Sequence, residues 1–190
     1  MGVWLSGIIT EHFYNVVYIA ALDLVVRSRI NPAMLKDMIM AQRIILDTDP
    51  GIDDSLAILL ALASPELELA CVTVTGGNCP LENGFRNARN VLAMAQRSDV
   101  PTYAGVALPL IRPAFTALET HGDTGLGYAH LPEAEYAYAI EHGVDAIINT
   151  IMAQPGKVTL VAVAPLTNVA MAIRKEPRIV QAVRDAVSYT

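Results

Sequence analysis

The sequence predicts an α/β domain built on a mostly parallel β-sheet with helices packed against it. Hydrophobic residues make up 53% of the 190 residues and aromatic residues only 6%, so the core must be aliphatic, as buried parallel sheets are. From residue 43 onward, short β-branched or aliphatic segments alternate with amphipathic ones, and the links between them are short. This alternation is typical of right-handed βαβ units.

Composition excludes several classes of partner. The chain carries 13 Lys and Arg against 19 Asp and Glu without a basic run, so we expect no nucleic-acid partner. No uninterrupted apolar stretch reaches the ~20 residues of a spanning helix, so we expect no membrane partner. Two cysteines, Cys71 and Cys79, are too few for a disulfide framework and favour a reducing, cytoplasmic location. A single disulfide between them is the alternative.

The sequence divides into two regions. Residues 1–40 are apolar but interrupted by charges and by Asn31-Pro32, and we interpret them as an N-terminal extension that packs poorly or is not native. The alternative is a docking helix for a partner or a membrane surface. Residues 41–190 are predicted to form the N-terminal part of the α/β domain.

The first half of this domain contains two strand–helix pairs. Residues 43–47 predict a short buried strand, followed by a Pro-Gly turn and a helix over 55–63. Residues 67–75 predict a second strand, and the apolar spacing within 82–97 predicts a helix with one buried face.

The second half continues the alternation around one long loop, and loops of such length are often functional. The remaining predicted elements are a strand at 101–104, the loop at 105–131, a helix at 134–153, a strand at 157–164, a helix from Pro165, a short helix at 177–184 and a strand beginning at 186.

An acidic turn follows the first strand. It holds four carboxylates within eight residues, those of Asp47, Asp49, Asp53 and Asp54. Two like charges 4 Å apart repel by about 4 kcal/mol at an effective dielectric near 20, and a bound divalent cation removes this conflict. Oxygen ligands select Ca²⁺ or Mg²⁺, and a flexible carboxylate set favours Ca²⁺. In the alternative interpretation Asp53 caps the helix and the other acids face solvent, which leaves Asp47 and Asp49 unexplained.

The segment Ile44–Leu62 (IILDTDPGIDDSLAILLAL) resembles the signature of the inosine–uridine-preferring nucleoside hydrolase family. The later segments TGGN, HGDTGL and TLVAVAPLTN are similar to further motifs of that family, in the same order. The resemblance covers residues 43–190. It implies a Rossmann-like α/β fold with Ca²⁺ at the carboxyl ends of the strands. It also implies hydrolysis of the N-glycosidic bond of purine or pyrimidine ribonucleosides to ribose and free base, in nucleoside catabolism and salvage, by a homodimer or homotetramer.

The resemblance also implies roles for the metal site. Asp49 corresponds to a Ca²⁺ ligand that acts as general base toward a metal-activated water. Asp54 corresponds to a bidentate ligand, and Val163 supplies a backbone carbonyl. Asp47 corresponds to a residue that supports these ligands without binding the metal.

Three further residues are implied to bind substrate. Asp53 and Asn78 correspond to residues that contact the ribose, and His121 lies in a loop motif near the nucleobase. The alternatives are a loop asparagine in a left-handed turn for Asn78 and a surface histidine for His121.

The sequence departs from the family pattern in two respects. Ala164 replaces the usual glycine beside the carbonyl ligand. The family's later segments, which carry another Asp ligand and a His that assists the leaving base, have no counterpart in this sequence. We therefore expect a sheet that is incomplete at the C-terminus, in a fragment or truncated gene product with little or no hydrolytic activity of its own.

Two other functions remain open. The first is a Mg²⁺-dependent phosphatase of the haloacid dehalogenase type, with Asp47 as nucleophile and Asp49 as acid/base, although the segment from Pro50 to Asp54 does not fit that motif. The second is a non-catalytic relative that binds metal or ribose. The preferred nucleobase is also open.

Overall fold

The computed structural model describes residues 41–188. Within this range the strands are β1 (Gln42–Thr48), β2 (Leu67–Val74), β3 (Thr102–Ala104), β4 (Val158–Ala162) and β5 (Asp185–Ser188). The helices are α1 (Ile52–Ala63), α2 (Leu81–Met94), α3 (Leu118–His121), α4 (Gly143–Ala153), α5 (Thr167–Lys175) and α6 (Ile179–Ala182).

The described strands form one sheet in the order β3-β2-β1-β4-β5, and every neighbouring pair is parallel. β1 lies at the centre, between β2 and β4, so Leu46 pairs with Val72 on one side and with Val161 on the other. The prediction of a mostly parallel α/β sheet is confirmed. Because all strands run the same way, their carboxyl ends meet at one edge, and this edge carries the site.

Helices cover both faces of the sheet. Alternate residues of a strand point to opposite faces, and Ile44 and Leu46 accordingly pack in the same core cluster as residues of α1 and α2. Ile45 points the other way, into a second cluster with residues of α4, α5 and α6. Cys71 of β2 is buried in this second cluster, and Cys71 and Cys79 are both free thiols, so the alternative of a disulfide between them is wrong.

One predicted helix is shorter than expected. The interpretation of 134–153 as a helix is wrong for its first nine residues, because α4 begins only at Gly143, where His142 Nδ1 accepts a hydrogen bond from the Val144 amide at 3.2 Å. Residues 134–142 belong to no helix or strand, and Arg89 on α2 donates to the carbonyl oxygens of Ala134 and Tyr136. Carbonyls bound in this way are not available for a helical turn.

Within residues 41–188, no helix is both long enough and apolar enough to cross a bilayer. The predictions for residues 1–40 lie outside the described residues.

Candidate functional site

The acidic turn joins the end of β1 to the start of α1 and faces a cavity of about 970 Å³ at the carboxyl edge of the sheet. The cavity is also bordered by the segment after β2, the loop after β3 and the segment after β4. Five residues singled out from the sequence line it: Asp49, Asp53, Asp54, Asn78 and Val163. Asp47 and His121 are not among its lining residues in the described part of the chain.

Asp49 and Asp54 are both buried and are bridged by Asn78. The Asn78 backbone N–H donates to Asp49 Oδ2 at 2.6 Å, and its side-chain Nδ2 donates to Asp54 Oδ2 at 2.8 Å and to the Asp49 carbonyl oxygen at 3.3 Å. Thr48 Oγ1 donates to Asp54 Oδ1 at 2.7 Å. The acidic turn and the segment after β2 are therefore held together by the side chains that line the cavity.

The N-cap residue of α1 is Gly51, and the side chain that binds its backbone N–H is that of Asp54, not Asp53. Asp54 Oδ2 accepts from the Gly51 backbone N–H at 3.4 Å at the first turn of α1, whereas the Asp53 side chain is 78% exposed. The alternative in which Asp53 caps the helix while the other acids face solvent is thus wrong. Asp47, Asp49 and Asp54 are each at most 4% exposed.

The electrostatics of this pair fit a bound cation. Burial, followed by the charge of Asp54, raises the pKa of Asp49 from 3.8 to about 7. Burial also raises the pKa of Asp54. Within the described residues, no Lys or Arg forms an ion pair with either carboxylate. Two confined carboxylates without a positive partner gain the most from a hard divalent ion.

The donor set on this side of the cavity is small. No group of three or more His, Cys, Asp or Glu side chains that could hold a metal occurs among the described residues. The oxygen donors that line the cavity here include the carboxylates of Asp49 and Asp54 and the backbone of Val163, which follows the neighbouring strand β4. The chemistry of this set fits Ca²⁺, which accepts carboxylate, carbonyl and water oxygens together.

Asp47 lies beneath the cavity and is fully buried. Its Oδ1 accepts from Thr73 Oγ1 at 2.6 Å and from Asn168 Nδ2 at 2.8 Å, while its Oδ2 has no hydrogen-bond partner in the described part of the chain. Burial raises the pKa of Asp47 to about 6. A carboxylate closed off in this way cannot attack a phosphate ester, which argues against the phosphatase alternative.

His121 is buried rather than a surface residue, at 7% exposure. Its Nδ1 accepts from the Ile52 backbone N–H at 3.2 Å, and its Nε2 lies 4.0 Å from Asp53 Oδ1. Because Nδ1 is an acceptor, the ring hydrogen of the neutral form is on Nε2 and faces Asp53. The alternative of a surface histidine is wrong, and the ring is fixed to the first turn of α1.

The loop that carries His121 is tied to α2 by side chains that the sequence did not single out. Asn83 Nδ2 donates to the Asp123 carbonyl at 3.0 Å. Asn87 Nδ2 donates to the carbonyls of Thr124 at 2.8 Å and of Pro50 at 3.1 Å, which joins this loop to the acidic turn. Their spacing of four residues on one helix face is the signal that could have found them.

Gly77 belongs to the TGGN segment, and its importance is steric. A β-carbon built at Gly77 would overlap the carboxylate of Asp49. Glycine here allows the backbone after β2 to approach the acidic turn closely enough for the Asn78 amide to reach Asp49.

Comparison with known proteins adds independent findings. The family model described as inosine-uridine preferring nucleoside hydrolase matches residues 44–189. An inosine-uridine preferring nucleoside hydrolase from Leishmania major is 45% identical over 150 residues, which are 78% of this chain and 48% of that protein. A pyrimidine-specific ribonucleoside hydrolase, RihA, from Salmonella arizonae is 41% identical over 140 residues, which are 74% of this chain and 45% of that protein.

A solved structure of a ribonucleoside hydrolase has a similar fold. The purine-preferring ribonucleoside hydrolase from Gardnerella vaginalis superimposes with a TM-score of 0.74 at 34% identity, over 77% of this chain and 48% of that one. The chain spans about half the length of the curated relatives it matches.

Proposed function

Because the chain belongs to the inosine-uridine preferring nucleoside hydrolase family, we propose that it supplies the carboxylate half of a site that hydrolyses the N-glycosidic bond of ribonucleosides. The products are ribose and the free base. The observation that carries this proposal is the meeting of Asp49, Asp54 and Asn78 in one cavity at the carboxyl edge of the sheet. The names of the relatives include purine-preferring and pyrimidine-specific enzymes, so the base preference of this chain is not part of the proposal.

We propose that the resident metal is Ca²⁺, held by the carboxylates of Asp49 and Asp54 and by the Val163 carbonyl. When bound, such an ion supplies Lewis-acid polarisation of a water and of the sugar hydroxyls. The support is the pair of buried carboxylates without a positive partner among the described residues.

Asp49 acts as the general base in this proposal. Its carboxylate lines the cavity in which a nucleoside would lie, so it can accept the proton of a water bound there. The water that loses this proton attacks the anomeric carbon of the ribose as the bond to the base breaks, through an oxocarbenium-like state.

We propose that Asp53 and Asn78 bind the ribose. The exposed carboxylate of Asp53 accepts hydrogen bonds from sugar hydroxyls at the cavity wall. The Asn78 side chain uses its Nδ2 on Asp49 and Asp54, so its Oδ1 is the atom that can accept a hydroxyl. Asp47 supports the turn from below and does not touch substrate.

We also propose a cellular location for the protein. Two buried, free cysteines support a reducing, cytoplasmic location. The homodimer or homotetramer that the family resemblance implies stays a prediction.

The activity is tested by ribose release from inosine and uridine in the presence of CaCl₂. The chain is assayed alone and fused to the portion of the Leishmania major relative that it does not cover. We expect Asp49→Asn to lower kcat/KM of the active form by at least 10²–10⁴-fold, the range for loss of a general base. Asp53→Asn should weaken catalysis with Ca²⁺ still bound, and Asp47→Asn should have the mildest effect.

Three results would contradict the proposal. Ribose release that is insensitive to Asp49→Asn removes the assigned base. Phosphate release from p-nitrophenyl phosphate, with Asp47→Asn the most damaging change, establishes the phosphatase alternative. A fusion that binds Ca²⁺ without any turnover points to the non-catalytic relative.

A further inference from the structure

A single buried amide, Asn168 on α5, connects three separate segments beneath the cavity. Its Nδ2 donates to Asp47 Oδ1 at 2.8 Å and to the Val74 carbonyl at 3.2 Å. Its Oδ1 accepts from the Val106 backbone N–H at 2.8 Å. The side chain is fully buried, so these bonds form away from competing water.

Each partner of Asn168 lies one or two residues before a residue that lines the cavity. Asp47 lies two residues before Asp49, Val74 lies two residues before Gly76, and Val106 is followed by Ala107, a lining residue. The ends of β1 and β2 and the segment after β3 are thus fixed relative to one another by one side chain.

Close packing against the Asn168 side chain requires a glycine at position 105. A β-carbon built at Gly105 would overlap both the Oδ1 and the Nδ2 of Asn168. The Val163 backbone N–H donates to the Asp47 carbonyl oxygen at 2.9 Å. This bond adds the residue that follows β4 to the same arrangement.

We propose that Asn168 is a positioning residue for the cation site: its amide sets the relative placement of the strand ends, so that the Asp49 and Asp54 carboxylates face the same ion. This inference rests on the Ca²⁺ site proposed above. Neither the resemblance nor the comparisons give Asn168 a role.

Only an amide meets the demands of this position. Asparagine offers two N–H donors and one acceptor oxygen, and the three partners use both kinds. Asn168→Asp keeps the volume but places an acceptor against the Asp47 carboxylate and the Val74 carbonyl. Loss of a residue that orients metal ligands typically weakens metal affinity 10–100-fold, so we expect the Kd for Ca²⁺ to rise at least about tenfold.

Asn90→Asp is the matched control. Asn90 is a buried asparagine on α2, and its Oδ1 accepts from the Ala134 backbone N–H at 2.9 Å, a bond that an aspartate can keep. It therefore tests the addition of a buried carboxylate outside the site. Asn168→Ser, which retains a hydroxyl donor without a like charge, serves if Asn168→Asp does not fold.

The experiment has two readouts on the 190-residue chain. Calorimetric titration with CaCl₂ gives the Kd, and amide hydrogen exchange in metal-free buffer reports the Asn78 and Val106 N–H groups. We expect Asn168→Asp to weaken Ca²⁺ binding and to lower protection at Asn78, whose amide donates to Asp49 and not to Asn168. Asn90→Asp should leave both unchanged. A merely structural role would lower the free energy of unfolding and leave the Kd of the folded protein unaltered.

The outcomes separate the two proposals. If the wild type binds no Ca²⁺, the metal assignment fails, and the exchange data alone decide the positioning role. Reduced protection at Asn78 in Asn168→Asp or Asn168→Ser supports that role. Unchanged protection at Asn78, or an unchanged Kd where the wild type binds Ca²⁺, overturns it.

Discussion

Replacing the proposed general base should stabilise the metal-free protein. Asp49 is 4% exposed and shares its pocket with the like charge of Asp54. The change Asp49→Asn introduces an amide that cannot ionise but keeps an oxygen that accepts from the Asn78 backbone N–H. We therefore expect the variant to unfold at higher urea concentration than the wild type at neutral pH in EDTA.

The size of this effect follows from the pKa shift. Folding raises the pKa of Asp49 from 3.8 to about 7, because burial and then the charge of Asp54 disfavour ionisation. The folded state thus holds the proton more tightly, and this contribution to stability, complete below about pH 4, is lost as the pH rises through about 7. At about 1.4 kcal/mol per pH unit, the advantage of Asp49→Asn should grow by about 2–3 kcal/mol between pH 5 and pH 8.

The assay is urea denaturation of both proteins at pH 5 and pH 8 with EDTA. Asp123→Asn is the control, because that side chain is exposed and is not among the charges that shift the pKa values of Asp49 and Asp54. An Asp49→Asn variant whose stability relative to wild type does not change with pH would refute the reasoning. Adding CaCl₂ should reverse the order, because an ion that binds only the folded wild type stabilises it by mass action.

Three further predictions concern neighbouring features. Gly77→Ala should weaken Ca²⁺ binding at least about tenfold in calorimetry while the circular dichroism spectrum is retained, because its β-carbon would displace the Asp49 carboxylate. Cys71 and Cys79, whose pKa values burial raises to about 12 and about 11, should react with a thiol reagent at pH 8 roughly 100-fold more slowly than in 6 M urea; equal rates would contradict the described burial. Arg89→Lys should lower the free energy of unfolding by about 1–3 kcal/mol in urea titration, because the guanidinium binds two carbonyls and stacks on three aromatic rings; unchanged stability would show that this contact is not needed.

The sheet was predictable because its signals are local. Each strand is marked by a few consecutive aliphatic or β-branched residues, and βαβ handedness then fixes the parallel arrangement. The meeting of Asp49, Asn78 and Val163 follows from the same rule, since parallel strands end at one edge.

The remaining features depend on contacts between distant residues. Whether Asp53 or Asp54 caps α1 depends on the rotation of that helix, which places Asp54 toward Asn78. The first nine residues of the expected helix at 134–153 are held out of helical conformation by Arg89, 45 residues earlier than Ala134. In the sequence Asn168 is an ordinary residue at the start of a helix. Its hydrogen bond to Asp47, 121 residues earlier, forms only in the assembled sheet.

The central position of β1 has a consequence for the order of folding. β1 and β2 are neighbours along the chain and can pair early, but Asp47 and Asn168 are separated by 121 residues. Contacts of such sequence separation form slowly, because the loop-closure entropy must be overcome first. Val163 follows β4, so it joins this cavity only when β4 pairs with β1. The Ca²⁺ proposed above, with Val163 as well as Asp49 and Asp54 among its ligands, would therefore bind fully only after β4 has paired with β1, and it would stabilise the assembled sheet rather than nucleate it.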